Sequence, residues 1–175
     1  HLLRSSTKCQ YVRKTHEYLD WHQARVRTRE TTKLVLHDIG DGGSKSDKLL
    51  RDIMLLKRDP EDARFWFYYG STLQSLGGMK GGENRIPLAM DALTKRIHYG
   101  GAHWPQEVYL SRQRRCQMMA NCLSYPTAVW LQEGLEAFLY CPQRLEALHF
   151  VVGRLMDMRE YLLAASLGSL AYGNS

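Results

Sequence analysis

The chain has 175 residues with a formal charge of +6, long enough for one domain that buries roughly two thirds of the surface its unfolded chain exposes, so neither a disulfide nor a metal is required to hold it together. No apolar run approaches the ~20 residues a membrane span needs, and the first residues lack the apolar stretch of a signal peptide, so a cytoplasmic chain with no membrane span is expected. The four cysteines, Cys9, Cys116, Cys122 and Cys141, form no Cys-x-x-Cys pair and have no histidine at zinc-like spacing; they read as small buried apolar side chains in a reducing compartment.

Residues 1–43 differ in character from the remainder of the chain. Eight Lys and Arg against three Asp and Glu over residues 1–33 place +5 of the +6 there. Such a segment can attract phosphates, but it reads first as a solvated basic surface, and a nucleic-acid partner is not expected. Two short runs have strand character, Cys9-Gln-Tyr-Val-Arg13 and Lys33-Leu-Val-Leu-His-Asp-Ile39, and Gly40-Asp-Gly-Gly43 then signals a turn. The start at His1 rather than a methionine fits a fragment or a processed product.

From Ser44 the period becomes helical. Ser44 and Asp47 make a capping-box start, and Leu49, Ile53 and Leu56 recur along one face until Asp59-Pro60. The same template returns as Trp66, Tyr69, Leu73 and Leu76, as Ala128, Leu131, Leu135 and Phe138, and as Leu145, Leu148, Val152 and Leu155. Ile86, Ala89, Leu93 and Ile97 mark a further helix that tolerates Pro87 in its first turn, and a short alanine-rich helix spans about Glu160 to Ala171. Phe65-Trp-Phe-Tyr-Tyr69 covers every side of its helix with aromatic rings and reads as core. Three helices open after Pro60, Pro105 and Pro142, at spacings that bracket the ~34-residue tetratricopeptide period, with the extra length in the loop Gly77 to Asn84. The expected fold is mainly α, a tetratricopeptide-like antiparallel helix-pair array over residues 44–175, preceded by a short β-containing segment over residues 1–43.

Two blocks resemble the C-terminal part of family 2 glycosyltransferases that carry tetratricopeptide-like helices. The first runs through Gly40-Asp-Gly-Gly-Ser-Lys-Ser-Asp-Lys48, Arg51-Asp-Ile, Asp59-Pro60 and Arg64-x-x-Phe-Tyr-Tyr69; the second is Lys95-Arg-Ile-His-Tyr-Gly-Gly101 with Gln106-Glu-Val-Tyr109. Tyr11-Val-Arg-Lys-Thr-His-Glu-Tyr-Leu19 is similar to the strand that ends the family's catalytic domain, with Arg13 where glycine is common. The resemblance implies that residues 1–43 end a truncated catalytic domain, that His16 and Glu17 sit at the lip of a nucleotide-sugar site, and that His37 is a metal-side histidine. It also implies a divalent cation, manganese or magnesium, for the parent enzyme, which moves a sugar from a nucleotide sugar to an acceptor. No Asp-x-Asp triplet occurs in the chain, so the catalytic core is expected in a missing N-terminal domain and the isolated chain is expected to bind no cofactor and to be inactive.

The alternative is a non-enzymatic tetratricopeptide-like scaffold. On the helix whose apolar face runs through Tyr109, Cys116 and Ala120, Arg112, Arg114 and Arg115 should point away from that face, toward solvent or a concave groove, and grip an acidic peptide or protein partner.

Overall fold

A computed structural model describes residues 45–57, 63–99 and 104–172, together with the segments Gln10–Val12 and Tyr18–Asp20. The described chain is mainly helical and divides into two compact units, His1–Arg58 and Asp59–Ser175. The change of period at residue 44 therefore marks where helix begins and not where the units part.

In the first unit β1 (Gln10–Val12) pairs antiparallel with β2 (Tyr18–Asp20), Tyr11 standing opposite Leu19. The second expected strand, residues 33–39, lies outside the described residues. Helix α1 (Lys45–Leu56) starts one residue after Ser44, as the capping pattern requires, and ends before Asp59-Pro60.

The second unit holds α2 (Ala63–Gly77), α3 (Ile86–His98), α4 (Pro105–Asn121), α5 (Thr127–Tyr140), α6 (Glu146–Asp157) and α7 (Tyr161–Tyr172). Local chemistry sets several of their ends. Pro87 lies in the first turn of α3 and Pro105 opens α4, where a missing N–H costs nothing, and Lys95, Arg96 and His98 stand in the last turn of α3, on the negative end of its dipole. Successive helices pack in pairs, α2 with α3, α4 with α5 and α6 with α7, while α4 also touches α2, α3 and α6. A core of Cys116, Met119, Trp130, Val151, Leu155 and Ala164 runs from α4 to α7, and Tyr109, Ala137 and Ala147 make a second, smaller one.

The expected apolar faces match α3 closely, since Ile86, Ala89 and Leu93 are all buried. On α5 the buried stripe is Trp130, Glu133, Gly134, Ala137 and Phe138, rotated from the expected one; Ala128 is exposed, and Leu131 and Leu135 are half-buried. The cause is backbone proximity. A Cβ on Gly134 would collide with the side chain of Val151 and lie 3.1 Å from Cys116 Sγ, so α5 meets α6 and α4 through its smallest residues rather than its largest. In the aromatic run of α2, Phe65 and Phe67 are buried and Phe65 stacks on Tyr69 at 5.2 Å, whereas Trp66 is half-buried beneath Lys95 Nζ at 4.6 Å. The cysteines do not share one environment. Cys116 is buried, Cys141 is half-buried and Cys122 is exposed at the end of α4.

Candidate interaction groove and the ion networks around it

Helix α4 carries little apolar character, yet none of its residues from 107 to 120 is exposed, because it sits between α2 and α3 on one side and α5 and α6 on the other. Polar groups taken out of water there need partners. Most of them find one, on α2, α3, α5 or α6.

At the N-terminal end Glu107 receives two guanidinium groups. Arg64 Nε of α2 lies 2.8 Å from Oε1 and Arg96 Nε of α3 lies 3.3 Å from Oε2. Arg96, with a fully buried side chain, also donates to the Trp104 carbonyl at 3.1 Å, and the Arg64 guanidinium lies 4.1 Å over the Trp104 ring while donating to Tyr68 Oη at 2.6 Å. These contacts hold Trp104 at φ 66°, a left-handed conformation that costs a bulky side chain roughly 1–3 kcal/mol. Arg64, Arg96 and Glu107 stand on three different helices and meet at one buried point joining α2, α3 and α4. With all three less than a tenth exposed, these charges hold helices together and are not available to a substrate.

The three arginines expected to reach for a partner are engaged within the chain. Arg112 donates to Glu136 and lies 3.8 Å from Glu133; Arg115 lies 3.3 Å from Glu133; Arg114 reaches back to Gln74 of α2 at 2.8 Å. Arg112 and Arg115 thus face α5 rather than standing clear of the packed surface, with side chains only 22% and 17% exposed. The sequence pattern could not show this, because the two glutamates that draw them lie on the next helix. Burial pushes the Glu133 carboxyl above its ordinary value, opposed by Arg115 and Arg112. The same burial, with Glu133 close by, raises the Cys116 thiol to about 12, and that thiol donates to the Trp130 carbonyl at 3.1 Å.

Tyr109 joins α4 to α6. Its hydroxyl accepts the Ala147 N–H at 2.9 Å and donates to Glu146 at 3.1 Å, which supplies the first turn of α6 with the cap that Leu145 at its N-cap position does not provide. Arg144 grips Glu146 through Nη2 at 2.6 Å and Nε at 3.1 Å, and its hydrogen bonds hold the Glu146 carboxyl down at about 2.

On α4, the side chains of Gln113 and Gln117 have no hydrogen bond among the described residues. They form one wall of a groove of about 660 Å³ whose other wall is α6, with Leu145, His149, Phe150, Gly153, Arg154 and Asp157. The periodicity of α6 picked out Leu145, Leu148, Val152 and Leu155, of which Leu145 lines this groove; the signals for the rest of the face were the i, i+4 glutamines and a glycine in mid-helix. His16, Glu17 and His37 lie outside the described residues. Among the described residues no group of three or more His, Cys, Asp or Glu could hold a metal ion, and no helix is long and apolar enough to cross a membrane. The chain matches no family model, no curated protein and no solved structure.

Proposed function

We propose that this chain is the C-terminal helical-repeat portion of a family 2 glycosyltransferase. The observation that carries the reading is the meeting of Arg64, Arg96 and Glu107, drawn from separate stretches of the resemblance, in one buried network. The pairing of α2 with α3, α4 with α5 and α6 with α7, with α4 reaching both α2 and α6, supports the tetratricopeptide-like array within that reading. On this reading sugar transfer takes place in a catalytic domain joined to residues 1–43, with His16, Glu17 and His37 contributing to a site whose divalent cation and nucleotide sugar are held mainly elsewhere. The test is the coding sequence upstream of His1. A βαβ domain with an Asp-x-Asp triplet is the expected result, and an initiator methionine immediately before His1 would overturn the reading.

A second reading, a protein-interaction module of helix pairs, is favoured by the α4–α6 groove. It stands whether or not a catalytic domain is attached. Binding of extended peptides from a display library to the chain, lost when Gly153→Trp fills the groove, is the outcome it requires.

A further inference from the structure

Helix α7 carries no charged residue from Tyr161 to Tyr172. It packs on α6, with Ala164 buried and Leu167 partly buried in the core that runs from α4. Its other side faces water and is apolar. Leu162 is 88% exposed, Leu170 43% and Leu163 39%, with Ala165, Ser166 and Ser169 exposed among them. The two hydroxyls there are already used: Ser166 Oγ donates to the Leu162 carbonyl at 2.8 Å and Ser169 Oγ to the Ser166 carbonyl at 2.7 Å, both turned back onto the helix's own backbone. A soluble surface ordinarily draws about a quarter to a third of its residues from Lys, Arg, Glu and Asp, and this face has none.

Two features say what covers it. Leu162, Ser166 and Leu170 follow i, i+4, i+8 along one ridge of the helix, a small residue between two leucines. Turned end for end about Ser166, this ridge presents the same order, which a surface that pairs with itself across a two-fold axis must do. The second feature is electrostatic. Residues 59–175 hold eleven Lys and Arg against eleven Asp and Glu, so the unit that carries α7 has no net charge to repel its own copy. A lipid surface fits the face less well, because basic residues are missing beside it on α7 and serines stand at its centre.

We infer that α7 pairs with α7 of a second copy of this chain about a two-fold axis at Ser166, with Leu162 of one protomer packing on the partner's Leu170. Serine at the crossing point lets the two backbones approach while the leucines on either side interdigitate. A helix face ~18 Å long falls short of the ~800 Å² per partner of a standard interface, so the dimer is weak, half formed at about 100 μM. It goes beyond both functional readings and holds with or without a catalytic domain or a groove ligand.

The experiment is sedimentation velocity of the whole chain from about 10 to about 500 μM, spanning that midpoint. Salt at ~0.15 M shortens the reach of the charge on residues 1–33 to ~8 Å. The wild type should pass from monomer to dimer over this range. Leu162→Glu should weaken association about tenfold or more, because a carboxylate is then desolvated against leucine. Leu162→Glu combined with Leu170→Lys should recover it: the two positions are ~12 Å apart along one helix, too far to pair within a chain, but are opposed across the two-fold axis. Both side chains are exposed, so the core is untouched, and an unchanged far-UV circular dichroism spectrum checks this. A monomer at every concentration overturns the inference, and cosedimentation of that monomer with phosphatidylcholine vesicles, lost in Leu162→Glu, would give the face to lipid instead. A dimer that Leu162→Glu leaves intact forms through another surface and overturns it as well. Loss in the single variant without recovery in the double one overturns the pairing of Leu162 with Leu170.

Discussion

Replacing Glu107 by glutamine changes little in volume but removes the negative charge that pairs with Arg64 of α2 and Arg96 of α3. Two guanidinium groups are then left facing a neutral amide, Arg64 formerly at 2.8 Å and Arg96 formerly at 3.3 Å, the latter with a side chain wholly out of water. Breaking a buried pair on one side costs about 3–5 kcal/mol, since the remaining charge stays desolvated after losing its counter-charge. With a urea dependence of about 1–3 kcal/mol per molar, the denaturation midpoint of the helical stack should fall by about 2 M. The assay is urea unfolding followed by far-UV circular dichroism. A second variant separates charge from packing: Arg64→Met, Arg96→Met and Glu107→Leu together take all three charges away, and this triple substitution should be less destabilised than Glu107→Gln alone. A midpoint shift below about 0.5 M for Glu107→Gln, on the same urea dependence, would refute the network as a structural keystone. So would a triple variant worse than the single one.

Other consequences are open to direct measurement. Gly134→Ala gains about 1 kcal/mol in helix propensity but forces a methyl group into Val151, at a cost of about 1–3 kcal/mol, so it should destabilise on balance. Val151→Ala in the same chain should cost less than it does alone, and strict additivity in a double-mutant cycle contradicts the contact. Arg144 holds the Glu146 carboxyl at about 2 against an ordinary 4.5, so Glu146 stabilises the folded state above about pH 4.5 and this contribution is lost as pH falls toward 2. The melting-temperature difference between wild type and Glu146→Gln should therefore shrink over that interval, and a constant difference rejects the pairing. At neutral pH a thiol reagent should modify exposed Cys122 rapidly and leave Cys116, raised to about 12 and buried, untouched until the stack unfolds; peptide mapping reads both.

Much of the helical order was legible in the linear pattern, and the residues that made it legible are identifiable. Ser44 marks the start of α1, Pro105 opens α4, Pro87 lies where α3 can accept it, and the run from Ile86 to Ile97 gives the true buried face of α3. The reading failed on α5, and for a physical reason. A search for large apolar residues finds Leu131 and Leu135, whereas close helix packing selects Gly134 and Ala137. The arginines of α4 were visible as a cluster, but their surroundings were not, because Glu133, Glu136 and Gln74 reach them from other helices.

What the sequence determined by itself was therefore local: the helical period, the helix ends and the basic character of residues 1–33, each set by neighbours a few positions apart. What only the tertiary structure decided was which polar groups were consumed. Tyr109 caps a helix that begins 37 residues later, Glu107 gathers arginines from α2 and α3, and Gln113 and Gln117 are left along a groove against α6. A hydrogen bond or ion pair between helices depends on distance in space, which periodicity along one helix does not encode.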